Sequence, residues 1–407
     1  MVATQITADV RRHNASQVLR ALLTPAPDEG KWSRRALRDA TGLVSGSITT
    51  IVELLIANGL VRETGETTSG RGRPQRLLVT EAGRIIAPIV SIAPLGDGHC
   101  LETRLVDLSG DVIWQGRVDV GAGADEIATS AARAFDDLFE RAQLVSGAHL
   151  VDGVMSVPGA VAGDRVLVAS LPLGVRNVDL IAAVTERMTH PQRFQVRNEG
   201  RLGALAEFAA LDPAIAEPTT MVYVASNRRG LSGGIIDKGA VFGGEHGHAG
   251  EVGHIVVDCR GAECECGAAG CLNLVLGLPN LCRAAGWSTA GSDDDVAHLV
   301  DLLRGGDERA LRALSDASSG LAAAISTMSN YTDASVVVLG GYLLELEEWL
   351  RPSVDAMLAR RASVSPTFNP TVRVASHHGD AAWRGGALVA REAVLADPLA
   401  VPELLDD

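Results

Sequence analysis

Apolar residues at helical spacing open the chain. In NASQVLRALL, Val18, Leu19, Leu22 and Leu23 fall on one stripe, which predicts a helix over Asn14–Leu23. SRRALRDATG starts on Ser33, a good N-cap, and ends on Gly42, a good C-cap. LVSGSITTIVELLIANGLV resumes the helical period through Ile48, Ile51, Val52 and Leu55 and stops at Asn58-Gly59. A short helix, a turn at Thr41-Gly42 and a second helix form a helix-turn-helix. LVRET and QRLLVT then read as two short paired strands around GETTSGRGRP, a wing-like loop.

From about Pro88 the pattern becomes strands alternating with helices. CLETRLVDLSGDVIWQGRVDV reads as a hairpin turning at Ser109-Gly110, and ADEIATSAARAFDDLFERAQ as a helix. LVDGVMSVPGAV is a buried strand ending at Pro158-Gly159, and RLGALAEFAAL a helix. TTMVYVASNRRGLSGGIIDKGAVFGG holds two strands around a Gly-rich turn, and ASVVVLGG is one more buried strand. The alternation predicts α/β architecture in two lobes.

Composition bounds the function. With 407 residues, 46% hydrophobic and 21% charged, the chain reads as two or three globular domains. No window approaches a membrane span, and no apolar signal core opens the chain, so the expected location is cytoplasmic, with no membrane partner. The net charge of −14 argues against a protein whose whole surface binds nucleic acid, but it hides an asymmetry. Residues 1–80 carry 11 Lys+Arg against 7 Asp+Glu, and the rest 25 against 43. A small basic head on a large acidic body implies two jobs.

The head's chemistry suits double-stranded DNA. Arg71 and Arg73 of the wing sit on extended backbone, because Pro74 disfavours helix before it, and such an arm suits a narrow minor groove. The second helix of the pair holds no Lys or Arg from Ser45 to Asn58. Its polar contacts would be Ser45, Ser47, Thr49 and Thr50, whose hydroxyls discriminate bases weakly. Arg34, Arg35 and Arg38 would add charge. In the body, HIVVDCRGAECECGAAGC packs four of six cysteines and one histidine into His254–Cys271. In a reducing compartment such a cluster suggests metal rather than disulfides.

GGEHGHAGEVGHIVVD followed by CECGAAGCLN resembles the signature of the ROK family of sugar kinases and sugar-responsive repressors. VPGAV, VVVLGG, WRGGALVAREAVLADP and, in the head, TGLVSGSITTIVELLIANGLV with GRGRP also fit that resemblance, which spans nearly the whole chain. It implies an N-terminal winged helix-turn-helix over residues 1–82 and an actin-like (ribonuclease H-like), two-lobed, sugar-kinase-type domain over residues 83–407. It also implies a metal set of His254, Cys264, Cys266 and Cys271, leaving Cys259, Cys100 and Cys282 as ordinary thiols. One imidazole and three thiolates make a closed tetrahedral site, so the expected cofactor is a structural zinc.

Kinases of the family carry an Asp-x-Gly-Gly-Thr phosphate loop where this chain has IVSIAPLGDGHCLE. Their catalytic Asp falls on Glu199, and a sugar-holding Glu falls on Asn273. GLSGG (Gly230–Gly234) keeps part of a second phosphate loop. The resemblance therefore implies a pocket of Asn198, Glu199, Glu251, His254 and Asn273 without a phosphoryl donor, hence no enzyme activity and no catalytic residue. The expected function is a transcriptional repressor that binds an operator, responds to a sugar or sugar derivative, and forms a homodimer or homotetramer. The alternatives are a DNA-binding sugar kinase and a repressor whose pocket has decayed.

Overall fold

The computed structural model describes residues 2–26, 31–67, 76–96, 98–212, 215, 219–289 and 292–404. Its head holds three helices: α1 (Val2–Leu22), α2 (Arg34–Thr41) and α3 (Ser45–Ala57). The Ser33 hydroxyl accepts from the Ala36 N–H at 3.2 Å and fixes the start of α2, and Gly42 ends that helix at φ 72°. The chain bends by 117° between α2 and α3, a helix-turn-helix angle. Strands β1 (Trp32–Ser33), β2 (Val61–Thr67) and β3 (Arg76–Thr80) form an antiparallel sheet in the order β1-β3-β2. The tip between β2 and β3, with Arg71 and Arg73, lies outside the described residues.

The body has two lobes with one strand order. The N-lobe sheet runs β12-β8-β4-β5-β6, and β7 (His149–Leu150) pairs with β4. Here β4 (Ile85–Leu95), β5 (Gly98–Asp107) and β6 (Val112–Val120) form an antiparallel meander, and β8 (Gly153–Val157) and β12 (Phe194–Asn198) are parallel additions. Helix α4 (Ala124–Gln143) buries Phe135 against this sheet, stacked on Phe194 at 4.6 Å. A small sheet of β9 (Ala160–Ala162), β10 (Val166–Ser170) and β11 (Val175–Asp179), with α5 (Leu180–Thr185), completes the lobe.

The C-lobe sheet runs β15-β14-β13-β16-β17. Its meander is β13 (Thr220–Asn227), β14 (Gly230–Asp237) and β15 (Ala240–Val241), and its parallel strands are β16 (Val336–Gly340) and β17 (Thr371–Val374). The predicted apolar runs are these strands: every residue of β8 and β16 is buried, as expected where sheets are covered on both faces.

Two helices cross between the lobes. The first, α6 (Glu199–Ala209), leaves the last N-lobe strand and packs on the C-lobe sheet. Four helices build the far side of the C-lobe, α7 (Asn273–Leu276), α8 (Leu278–Ala285), α9 (Asp293–Arg304) and α10 (Glu308–Thr332), followed by α11 (Glu347–Val364). The last, α12 (Ala381–Ala396), leaves the last C-lobe strand and packs on β4 and β8 of the N-lobe. At the crossing a Cβ on Gly385 would stand 1.9 Å from the Leu202 carbonyl oxygen, so only glycine permits the approach.

The head's core does not stop at the head. Val18, Leu19, Leu37, Ile48, Val52 and Leu55 form one apolar cluster with Val394, Leu395 and Val401 from the chain's end. Arg20 of α1 makes a two-point ion pair with Glu392 at 2.9 and 2.6 Å. The helix bearing both lobes' crossing is therefore also the seat of the head.

Candidate functional site

On the head, Ser45, Thr49 and Thr50 of α3 are exposed, and Ser47 is half-buried. The Thr49 hydroxyl donates to the Ser45 carbonyl oxygen at 3.0 Å. Arg34 does not stand free beside them. It is half-buried and donates to Glu63 at 2.7 Å, and Glu63 also takes the Arg76 guanidinium at 2.5 Å. Both arginines hold Glu63 below the usual carboxylate range. Arg38 pairs with Asp39 at 2.6 Å. The Arg34–Glu63 pair braces α2 on the sheet and the Arg38–Asp39 pair lies within α2, so less cationic charge faces outward here than the sequence suggested.

In the C-lobe, His254, Cys264, Cys266 and Cys271 converge, with one donor atom from each lying within 4.8 Å of the others. The His254 Nδ1–Cys264 Sγ distance is 3.7 Å and the Cys266–Cys271 Sγ–Sγ distance 3.6 Å. A tetrahedral ion with bonds of about 2.0–2.3 Å to N and S needs donor spacings of roughly 3.5–3.8 Å, which these two pairs match, and the 4.8 Å bound on the whole set leaves at most a small contraction on binding. Local sequence makes the loop: Gly267 turns at φ 94°, and a Cβ on Gly270 would meet the Asp258 carbonyl oxygen at 1.6 Å. Using Nδ1 toward the cluster leaves Nε2 as the ring's second hydrogen-bonding atom.

His254, Cys264 and Cys266 of this cluster form one wall of a cleft of about 1270 Å³ between the lobes. Asn198, Glu199, Glu251, His254 and Asn273, all expected in one pocket, all line it. Asn198 is mostly engaged already. Its Oδ1 accepts from the Arg201 N–H at 2.9 Å as the N-cap of α6, and its Nδ2 donates to the Gly159 carbonyl oxygen at 2.8 Å. Burial first, and then the Glu251 charge, push the Glu199 carboxyl up to about 7, while a hydrogen bond from Asn227 Nδ2 at 3.0 Å pulls it back. Burial also raises Glu251, opposed by the nearby Arg201. Near neutrality the floor therefore holds one carboxyl group, Glu199, able to donate as well as accept.

The Gly-rich turn differs from a phosphate cradle. Gly230 opens β14, directly opposite Asn227 on β13. The Asn227 Oδ1 accepts from the Arg229 and Gly230 N–H groups at 2.9 and 3.0 Å, and the Asn273 Oδ1 accepts from the Leu231 N–H at 3.1 Å. Three backbone donors at the start of the turn are thereby occupied. The Arg229 Nη2 reaches across to the N-lobe and donates to the carbonyl oxygens of Gly96 and Gly98 at 3.1 and 2.9 Å. Those residues flank the β4–β5 turn, where the phosphate loop of a kinase would lie.

Asn227, Arg229 and Arg201 were not singled out in the sequence. Asn227 carried a readable signal, since Asn two or three residues before Gly favours a side chain closing the turn. Arg201 donates to the Gly243 and Val161 carbonyl oxygens at 2.8 and 3.2 Å, fastening the loop before Glu251 to the N-lobe, and nothing local predicts that.

A winged helix-turn-helix on an actin-like, two-lobed body is the architecture of a transcriptional regulator built on a sugar-kinase scaffold. The ROK family profile matches residues 99–393, and the chain belongs to the ROK family. It is 26% identical over 386 residues to the DNA-binding transcriptional dual regulator NagC of Escherichia coli K12, covering 91% of each chain. It is 24% identical over 354 residues to the xylose repressor of Bacillus spizizenii, covering 86% of this chain and 88% of that one. Among solved structures, a ROK family transcriptional regulator described as a homologue of the E. coli MLC protein superposes with a TM-score of 0.76 at 23% identity. The match covers 96% of this chain and 98% of the other. Among the described residues, no single helix is long and apolar enough to cross a membrane.

Proposed function

We propose that the chain is a sugar-responsive transcriptional repressor in which residues 1–82 bind an operator and residues 83–407 bind the sugar and assemble a homodimer or homotetramer. Support comes from the head, which offers Ser45, Ser47, Thr49 and Thr50 on α3, and the sequence adds Arg71 and Arg73 as the expected minor-groove contacts. It comes also from relatives named as a DNA-binding regulator and a xylose repressor. Glu199, Glu251, His254 and Asn273 are the sugar contacts, with Asn198 mainly holding the cleft in shape. His254, Cys264, Cys266 and Cys271 hold zinc. Four protein donors leave no position for water, so the metal shapes the wall of the cleft and does no chemistry.

One observation carries the non-enzymatic reading: the Arg229, Gly230 and Leu231 N–H groups of the turn and the Arg229 Nη2 are already engaged. Phosphoryl transfer requires backbone donors and cations at the phosphates. Glu199 near neutrality has the proton affinity of a general base, but without a held donor it transfers nothing. What remains is a cleft whose ligand touches both lobes. A sugar that binds one lobe arrangement better shifts the population toward it, and α12 carries that change to the head. The test is an operator titration of the full chain on fragments flanking its own coding sequence, with and without a panel of aldoses and N-acetylhexosamines. Specific binding released by one sugar supports the reading. Absence of specific DNA binding contradicts it, and so does formation of a sugar phosphate from ATP.

A further inference from the structure

A second cavity, of about 290 Å³, lies away from the interlobe cleft, where α6 and α12 cross. Its walls are the Ser109-Gly110 turn between β5 and β6, the end of α6 at Ala209, and the α12 side chains of Trp383, Arg384 and Arg391. It has no part in the sugar or metal chemistry described above.

Unsatisfied donors concentrate around it. Of ten buried side-chain polar atoms without a hydrogen-bond partner among the described residues, four belong to this neighbourhood: Arg104 Nη1, Trp383 Nε1, Arg384 Nε and Arg391 Nε. Native interiors leave few polar groups unpaired, and a cluster of them marks a missing partner. All four are donors, so the missing partner is an acceptor. Trp383 is only 6% exposed, and its indole packs between two guanidinium groups, Arg104 at 5.0 Å and Arg384 at 4.6 Å from the ring centroid.

The charge balance is also open. Arg104 is answered by Glu102 at 3.1 Å, but Glu102 also takes Arg117 at 3.0 Å. Arg384 has only a loose contact with Asp380 at 3.7 Å. Among the described residues Arg391 has no ion pair of its own, and its neighbour Glu392 is turned to Arg20. Burial pushes the Arg391 guanidinium below its ordinary value, more than the Glu392 charge holds it up. Guanidinium forks match phosphate oxygens in geometry as well as charge. The volume sits at the small end of ligand pockets, room for a few heavy atoms beyond a phosphate group.

We propose that this cavity binds a small phosphate-type dianion, free phosphate or a compact phosphate monoester, with Arg384 and Arg391 as its charge partners. The site stands whether or not the interlobe cleft takes a sugar. It lies one residue from the Arg20–Glu392 pair that seats the head.

The test is thermal denaturation of the full chain titrated with inorganic phosphate and, separately, with glycerol 3-phosphate, at ionic strength held constant with chloride. A saturable stabilisation by at least one probe is expected, weakened at least tenfold in Arg391→Gln. Ala209→Phe, on an exposed helix end, fills the cavity with its charges intact and should weaken binding as much, which guards against misfolding of the arginine variant. Glu251→Ala should leave the response unchanged, separating this site from the cleft. Response to both probes assigns free phosphate as sufficient, and response to the ester alone assigns a monoester. Lack of a saturable response to either probe overturns the proposal, as does an undiminished response in Ala209→Phe.

Discussion

The two lobes share one strand order, a three-strand meander beside two parallel strands, but their first hairpin turns do different things. In the N-lobe the β4–β5 ladder continues through Pro94↔His99 to Leu95↔Gly98, so the backbone at the tip bonds within the sheet. Pro94 has no N–H to offer a ligand. In the C-lobe the β13–β14 turn is closed by the Asn227 side chain, and its Arg229 grips the N-lobe tip. The cores of both lobes fix the sheets, whereas the turns are free to change chemistry. A kinase-type scaffold can thus keep its fold while the turns that face its cleft vary.

Four experiments break or sharpen that contrast. The largest effect is expected at the metal loop, which the N-lobe lacks. Cys264→Ser should release about one zinc per chain and destabilise the C-lobe by several kcal/mol, because structural zinc contributes on the order of 10 kcal/mol in small folds. Metal analysis with a melting curve checks it, and metal-free native protein of unchanged stability would remove the site. Next, incubation with ATP and common hexoses should give no sugar phosphate above background, because Asn227 and Asn273 hold the opening N–H groups of the β13–β14 turn and Pro94 has none to offer. Robust enzyme-dependent product would collapse the contrast between regulator and kinase.

A smaller effect is expected for Arg229→Ala. Two hydrogen bonds at a half-exposed position contribute about 1 kcal/mol, and their loss should loosen the lobes without creating phosphoryl transfer. Small-angle scattering with and without sugar measures the loosening. The smallest effect is a pH slope. Glu199 titrates near 7 when folded and well below that when unfolded, so the folded state holds the extra proton. Stability from this group is present below about pH 4.5 and falls as pH rises toward 7. Glu199→Gln should therefore gain on the wild type in melting temperature between pH 5 and 7.5, and parallel curves would place Glu199 in a more solvated setting.

What could be read from the sequence was what depends on neighbours in sequence. Ser33 and Gly42 bound α2 because caps act within one turn. The density of cysteines over His254–Cys271 suggested a metal cluster, and the family resemblance named its four members. The helix read over Asn14–Leu23 runs over Val2–Leu22, and the four-residue spacing of Val2, Ile6 and Val10 was a sign of its first half that went unread. Other features are long-range. The head shares a core with Val394 and Leu395, and Arg20 meets Glu392, contacts between opposite ends of the chain that no local pattern announces. The Gly230–Gly234 stretch read as a remnant phosphate loop because glycine shows where backbone can approach, not whether its N–H groups are already taken.

The central claim is that the interlobe cleft senses a sugar and the head reports it. Its most direct test is an operator titration with and without the cognate sugar for wild type and Glu251→Ala. Glu251 lines the cleft three residues before a metal ligand, and the head makes no use of its carboxylate. The sugar should change wild-type operator affinity by a factor of about 5–150, the usual coupling between two sites. Glu251→Ala should bind operator as tightly as sugar-free wild type and lose that response. A Glu251→Ala protein that responds like wild type, or a wild type that responds to no sugar in the panel, would contradict the account.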